Sequence, residues 1–92
     1  MRIDVHFVGI LKKQIGEGEK TYELAEGASV EDLLRAIGRD YGDRLPAQIW
    51  DAEGERLHPT VQAVRKGSTG LQRSEGLEDG DEILILSRMA GG

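Results

Sequence analysis

Near its carboxyl end the chain reads Glu82-Ile83-Leu84-Ile85-Leu86, in which one acidic residue is followed by four consecutive apolar residues. An apolar run of this length, bounded by turn residues, is typical of a buried strand. Successive side chains of a strand point to opposite faces of its sheet. Ile83 and Ile85 therefore face one way and Leu84 and Leu86 the other. Both faces of this strand are apolar, so each face needs another part of the fold or a partner to cover it.

Two strands are predicted at the amino end. Apolar and polar residues alternate from about Arg2 to Val8, with Ile3, Val5 and Phe7 on one face. Alternation resumes over residues 20–25, and the glycines at positions 16 and 18 indicate a turn between the two runs. The pattern predicts a β-hairpin.

One helix is predicted from Val30 to about Tyr41, because apolar residues recur at helical spacing through this stretch. Ser29 suits the N-cap position, since its hydroxyl can accept a backbone N–H of the first turn. Gly42 is a natural residue for the position just after the helix. A helix of this length cannot bury its own apolar stripe, so it must cover one face of a sheet. The predicted architecture is a two-layer α+β domain.

The middle of the chain is less regular. Residues 48–57 fit either a short hairpin or a helical turn. The segment from Thr60 to Arg65 is predicted to be a strand, and a turn or loop follows it.

A single helix leaves the other face of the sheet open. The final strand then places an apolar pair, either Leu84 and Leu86 or Ile83 and Ile85, on that open face. Exposed apolar patches of this kind mark protein-binding surfaces. The alternative is that the segment around Trp50 folds over the patch and covers it.

Composition excludes several classes of function. The 92 residues carry 17 acids against 12 bases, for a net charge of −5, which argues against nucleic acid as a partner and favours a basic protein surface. The chain has no cysteine, so disulfides, thiolate metal sites and cysteine nucleophiles are excluded, and two histidines alone do not make a metal site. No apolar run is long enough for a membrane span, and the amino end lacks the apolar core of a signal peptide. We therefore expect a cytoplasmic protein with no membrane, nucleic-acid or metal partner.

The sequence ends in Gly91-Gly92, shortly after the final predicted strand. Without β-carbons, such an end can enter a narrow active site. It would present a free carboxylate on an unhindered carbon.

Several segments resemble the MoaD/ThiS family of ubiquitin-like sulfur carriers. Residues 77–86, which read Leu-Glu-Asp-Gly-Asp-Glu-Ile-Leu-Ile-Leu, are similar together with Gly91-Gly92 to the carboxy end of that family. Residues 26–34, Glu-Gly-Ala-Ser-Val-Glu-Asp-Leu-Leu, are similar to the start of the family's helix. Residues 49–59 are similar to an insert of archaeal-type members. The resemblance extends over nearly the whole chain.

The resemblance implies a β-grasp (ubiquitin-like) fold. It implies a mixed sheet of four to five strands with one main helix packed on one face, and with the first and last strands parallel at the sheet centre. The domain is expected to span residues 1–86, followed by a flexible carboxy-terminal tail over residues 87–92.

The resemblance also implies a function. An E1-like enzyme would use ATP to adenylate the Gly92 carboxylate, and a sulfur donor would convert the adenylate to a thiocarboxylate. The sulfur would pass to a sulfur-accepting synthase subunit, with molybdopterin or tungstopterin synthesis as the favoured pathway and thiamine, cysteine or tRNA thiolation left open. The chain would bind no cofactor and would be a co-substrate rather than an enzyme.

The same resemblance implies the site residues. Gly92 carries the chemistry, and the tail residues that would thread into a partner are Arg88, Met89, Ala90 and Gly91. The expected partner-binding residues are Phe7, Asp79, Asp81, Leu84 and Leu86. Two alternatives remain: a protein modifier joined through Gly92 to lysine, and a non-covalent ubiquitin-like binding module.

Overall fold

A five-stranded mixed sheet forms one layer of the molecule. The computed structural model describes residues 1–68 and 70–88. The strands of this sheet are β1 (Arg2–Phe7), β2 (Glu19–Glu23), β5 (Val61–Arg65), β6 (Gly70–Leu71) and β7 (Glu82–Ser87). They lie in the order β2-β1-β7-β5-β6, and β1 and β7 pair in parallel at the centre. The predicted hairpin of β1 and β2 is confirmed as an antiparallel pair.

Helix α2 (Val30–Tyr41) forms the second layer, with the predicted bounds. Ser29 and Asp32 close a reciprocal capping box at its start. The first free N–H groups of the helix also find partners: Val30 donates to the carbonyl of Glu75 at 2.9 Å, and Glu31 donates to that of Arg73 at 2.9 Å. The helix N-terminus is therefore tied to the loop that leads into β7.

The core lies between α2 and the sheet. Ile83 and Ile85 have no exposed surface and face the helix, whereas Leu84 and Leu86 are partly exposed on the opposite face. Of the two possible orientations of the last strand, the structure therefore adopts the one that buries the isoleucines. β-branched side chains such as these two isoleucines pack well on the pleated surface of a central strand.

A short helix, α1 (Ile10–Ile15), lies where the sequence predicted only a turn. Six residues are too few to show a helical period, although Leu11 and Ile15, four apart, are both buried. Gly9 has φ 64° and Gly16 has φ 87°, so glycines in left-handed backbone conformations bound this helix.

The middle segment forms a short antiparallel hairpin of β3 (Trp50–Asp51) and β4 (Arg56–Leu57), one of the two predicted possibilities. The ring of Trp50 packs on helix α2 at Gly38 and Gly42. This segment therefore lies on the helix side and leaves the other face of the sheet open. The alternative in which it covers the open face is wrong.

The end of helix α2 also differs from expectation. Gly42 has φ −51°, an ordinary right-handed value, and the chain continues into a 3-10 turn over Gly42–Arg44. Its lack of a side chain serves the packing of Trp50 rather than a left-handed cap. In the part of the chain that the structure describes, no helix has the length and apolar character to cross a membrane.

Candidate functional site

The carboxyl end of the central strand β7 lies at one end of the sheet, beside the start of β5. Ser87 lies opposite Val61 in the antiparallel pair, and the N–H of Arg88 donates to the carbonyl of Thr60 at 2.7 Å. Backbone pairing thus continues to Arg88, which is exposed. Of the predicted tail over residues 87–92, Ser87 belongs to strand β7 and Arg88 is held by this bond, whereas Met89, Ala90, Gly91 and Gly92 lie outside the described residues.

The open face of the sheet carries an apolar patch along its central strand. Leu84 lies between His6 of β1 and Val64 of β5, and Leu86 lies opposite Gln62. Leu84, Leu86 and Val64 are all partly exposed. The helix occupies the other side of the sheet, so this patch is free to contact another molecule.

Charged residues border the patch. The Nδ1 of His6 lies 3.8 Å from Glu19, and its Nε2 lies 3.6 Å from Glu82. That Nε2 atom is buried and has no hydrogen-bond partner among the described residues. Lys66 approaches Glu82 from the other side, at 3.6 Å. The patch therefore meets a polar border of mixed charge that runs from β1 across β7 to the end of β5.

Asp4 extends the border toward β2. A hydrogen bond from the hydroxyl of Thr21, at 3.0 Å, is the main cause that lowers the pKa of Asp4, and the neighbouring Arg2 adds to it. This carboxylate is charged at neutral pH and gives the open face an acidic corner.

Phe7 does not belong to the open face. It is 3% exposed and packs edge-on against Tyr41, with ring centroids 5.7 Å apart. Residues 3, 5 and 7 of β1 point toward the helix, so the alternation that predicted the strand also places Phe7 in the core. We therefore correct its expected role from partner contact to core packing.

The side chain of Asp81 points toward its own domain rather than toward solvent. Its carboxylate pairs with Arg65 at 3.0 Å, accepts the N–H of Glu78 at 2.8 Å, and is 10% exposed. The carboxylate of Asp81 in turn raises the pKa of Arg65. Asp81 thus closes the acidic turn before β7 and offers little surface to a partner.

Asp79 is exposed and remains available to a partner, although its Oδ1 accepts the N–H of Arg2 at 2.8 Å. Leu84 and Leu86 share the open face, whereas Asp79 belongs to the turn that precedes β7. The predicted partner residues therefore do not form one continuous surface.

Val8 was missed by the sequence reasoning. It is 42% exposed and is the one large hydrophobic residue that the described chain leaves exposed. It follows β1 directly, and its N–H donates to the carbonyl of Ile85 at 3.0 Å. Nothing in the alternation of β1 distinguishes an exposed residue at the strand end from a covered one.

No cluster of histidine, aspartate and glutamate in residues 1–68 and 70–88 has the geometry to hold a metal ion. The described surface instead combines an apolar patch, a charged border and the point at which the last strand ends.

Comparison with known proteins places these features in context. The ThiS family model matches residues 5–92. A "molybdopterin synthase sulfur carrier subunit" of Chlamydomonas reinhardtii is 32% identical over 100 residues, covering all of both chains. "Small archaeal modifier protein 3" of Haloferax volcanii is 23% identical, again over the whole of both. The crystal structure of SAMP1 from Haloferax volcanii superposes with a TM-score of 0.79 at 20% identity and full coverage of both chains.

Proposed function

The chain belongs to the ThiS family, with the ubiquitin-like β-grasp fold of MoaD and ThiS proteins, and on that premise we propose that it is a sulfur carrier activated at Gly92. The observation that carries the proposal is the extent of the family match, which runs to residue 92 and so includes the glycine pair. Consistent with this, the last strand lies at the sheet centre, and Arg88 follows it at one end of the sheet.

The proposed chemistry has two steps. In an E1-like enzyme, a carboxylate oxygen of Gly92 attacks the α-phosphorus of ATP, and pyrophosphate leaves. A hydrosulfide-class donor then attacks the acyl carbon of the adenylate, a C–S bond forms, and AMP leaves with the C–O electrons. The product is a thiocarboxylate at Gly92. Glycine suits both steps because no β-carbon hinders approach to the acyl carbon.

In this proposal the chain is the co-substrate, and its own residues supply binding. The apolar pair Leu84 and Leu86 makes the main contact with the partner enzymes, and the carboxylates of Asp4 and Glu82 in the mixed-charge border meet basic residues on them. ATP binds to the activating enzyme, and the chain itself needs no cofactor.

The proposed acceptor is a synthase subunit that builds the dithiolene of molybdopterin or its tungsten counterpart. The 32% identical relative that carries a molybdopterin synthase name supports this choice, because the two chains match over their whole lengths. An apolar open face is also what a small subunit needs in order to dock on a larger one.

A second candidate function is protein modification. The full-length match to a relative named as a small archaeal modifier favours it. Here the same acyl-adenylate would be attacked by the ε-amine of a lysine, so that an isopeptide bond forms and AMP leaves. The two functions share the activation step and differ in the nucleophile that follows.

Intact-mass spectrometry tests the proposal. The protein is incubated with ATP, sulfide and an E1-like enzyme from the same cell. We expect a mass increase equal to the replacement of one oxygen by sulfur, mapped to Gly92. Omitting sulfide should leave the AMP adduct, and adding cell proteins in place of sulfide distinguishes isopeptide products from thiocarboxylate.

The matched control is a variant that lacks Gly92, which should show neither product. An unchanged mass in the presence of an E1-like enzyme shown to be active on another carrier overturns the proposal. The chain would then be a non-covalent binding module.

A further inference from the structure

The imidazole ring of His6 lies between two carboxylates on the open face of the sheet. Its Nδ1 is 3.8 Å from Oε1 of Glu19 on β2, and its Nε2 is 3.6 Å from Oε1 of Glu82 on β7. Glu19 is the direct neighbour of His6 across the antiparallel pair, whereas Glu82 lies two positions before the direct neighbour on β7. The ring therefore links the two strands that flank β1, and we call these three residues the His6 cradle.

The hydrogen-bonding capacity of the cradle matches a protonated ring. A charged carboxylate only accepts hydrogen bonds, and a neutral imidazole has one N–H donor and one acceptor nitrogen. A neutral His6 can therefore donate to Glu19 or to Glu82, and its other nitrogen turns a lone pair toward the second carboxylate. In the imidazolium form both nitrogens are donors, so the ring can bond to both carboxylates at once.

Burial of one nitrogen adds to this mismatch. The His6 side chain is 28% exposed, and its Nε2 atom is buried without a hydrogen-bond partner among the residues that the structure describes. A buried polar atom without a partner costs free energy that a new hydrogen bond would recover. Glu82, whose side chain is 42% exposed, needs only a small movement to supply the acceptor.

Two further charged groups lie near the cradle, and each has a partner of its own. Asp4, on the same face of β1 as His6, pairs with Arg2 at 3.3 Å. Lys66, from the turn after β5, lies 3.6 Å from Oε2 of Glu82, whereas His6 approaches Oε1. Glu82 can therefore contact both cations, one with each oxygen. Helix α2 covers the other face of the sheet and presents no charged group to the ring.

The position of the cradle makes its charge relevant to binding. His6 lies directly beside Leu84 in the parallel pair of β1 and β7, at the border of the apolar patch. Histidine is the side chain whose charge ordinarily changes between about pH 5 and 8. A proton taken up by His6 therefore alters the charge at the border of the patch and engages two carboxylates that a basic partner would otherwise contact.

We propose that the His6 cradle is a proton-binding site that adjusts the charge of the open face to pH. Near pH 8 the ring is neutral, and Glu19 and Glu82 are available to basic residues of a partner. Near pH 5.5 the ring takes up one proton, its two nitrogens donate to the two carboxylates, and the charge of the face rises by one. A basic partner then binds more weakly, because the acids it would contact are already paired. This effect on binding rests on the proposed function, since that function supplies the partner.

Nitrogen-15 NMR of the histidine rings tests the proton site in the free chain. Spectra recorded from pH 8 to pH 5.5 should show His6 passing from one protonated nitrogen to two, and the spectrum of His58→Gln identifies the His6 signals. Glu82→Gln should move this change to lower pH, because it removes the negative charge beside Nε2. Glu23→Gln is the matched control: Glu23 is exposed at the other end of β2, opposite Arg2, and its loss should leave the change in place.

Titration calorimetry with the E1-like enzyme tests the effect on binding. Between pH 8 and pH 5.5 the dissociation constant should rise about three- to fivefold more for wild type than for His6→Gln. Comparing the two chains with the same enzyme removes the enzyme's own pH dependence. His58→Gln should behave as wild type, because the ring of His58 lies 2.9 Å from the carbonyl of Ala47, away from the open face.

The outcomes separate this inference from the proposed function. A His6 ring that keeps a single protonated nitrogen down to pH 5.5, or that responds equally to Glu82→Gln and Glu23→Gln, overturns the proton site. A ring that gains the proton while wild type and His6→Gln keep the same pH dependence of binding overturns its effect on the partner. A chain that gains no sulfur at Gly92 with an active enzyme overturns the proposed function, whereas the NMR titration still decides the proton site.

Discussion

The indole ring of Trp50 lies directly against the bare α-carbon of Gly38 in helix α2. One turn further on, a β-carbon at Gly42 would lie 2.7 Å from Cε2 of the same ring, closer than atoms can pack. The two glycines therefore form a notch that receives the ring and joins the β3–β4 hairpin to the helix. The packing of the hairpin on this side of the molecule keeps the opposite face of the sheet free.

Replacing Gly38 with alanine should destabilise the fold. In most helices this change stabilises by up to about 1 kcal/mol, because glycine is a poor helix former. Here the added methyl group meets the Trp50 ring, and overpacking should reverse the sign, with a loss of about 1 to 3 kcal/mol in unfolding free energy. Urea unfolding followed by the fluorescence of the single tryptophan measures the change.

The double variant with Trp50→Ala tests the cause. If the ring is the obstacle, Gly38→Ala should cost much less in that background, and the coupling energy should be of the order of 1 kcal/mol or more. Equal effects in both backgrounds would show that the ring is not responsible.

Phe7→Leu should affect stability and leave partner binding intact. Phe7 is 3% exposed and contacts Tyr41, so the substitution loses an aromatic contact in the core, at about 1 to 2 kcal/mol. Binding to the activating enzyme, measured by calorimetry well below the melting temperature, should match wild type. A folded variant with clearly weaker binding would show that Phe7 does contribute to partner binding.

Asp81→Ala should destabilise the fold by about 1 to 3 kcal/mol, because it removes the carboxylate that pairs with Arg65 and accepts the N–H of Glu78. Glu78→Ala is the control: it removes the same charge from the same turn, but its side chain is exposed. Thermal unfolding of the two variants should differ clearly. Equal melting temperatures would show that Asp81 contributes only its charge.

Asp40 should contribute a pH dependence to stability. A hydrogen bond from Lys20, at 2.9 Å, is the main cause that lowers its pKa below the ordinary 3.8, with a second bond from Tyr22 adding to it. A carboxyl whose pKa is lower in the folded state stabilises the fold above its unfolded pKa, and the stabilisation is lost as the pH falls through the folded value.

Urea midpoints measured from about pH 5 down to pH 2 should therefore fall less steeply in Asp40→Asn than in wild type. Asp43→Asn is the matched control, because Asp43 is exposed and has no ion pair within the described chain. Parallel midpoint curves for wild type and Asp40→Asn would contradict the prediction.

Leu84→Ala should weaken binding to the sulfur-accepting synthase subunit about tenfold, because Leu84 lies at the centre of the open face and interface energy concentrates in such positions. Arg39→Ala changes an exposed residue of helix α2, on the other side of the sheet, and should have a small effect. Titration calorimetry gives both dissociation constants. Equal effects of the two substitutions would show that the binding interface is not centred on strand β7.

Much of the site could be predicted from residue pattern. Alternation in β1 and the apolar run of β7 predicted which residues share a face, and so predicted a patch containing either Leu84 and Leu86 or the two isoleucines. The glycine pair and the resemblance to sulfur carriers predict chemistry at Gly92, and this stays a prediction. Both signals depend only on the order of residues along the chain.

Other parts of the site could not be predicted this way. The inward orientation of the Asp81 side chain depends on Arg65, which lies 16 positions earlier in the chain. Nothing in the sequence of the acidic turn indicates that such a partner is near. The exposure of Val8 depends on which neighbouring segments fail to cover it. Helix α1 is too short for periodicity to reveal it.

The sequence by itself determined the elements, because local spacing fixes the period of a strand or helix and the capping residues fix the start of α2. It also determined that the last strand has two apolar faces. Only the tertiary structure decided which face the helix covers, that the Trp50 ring packs on Gly38 rather than on the open face, and that Val8 and Arg88 lie at the same end of the sheet. Those outcomes depend on contacts between residues far apart in the chain, which the three-dimensional packing of the whole domain selects together.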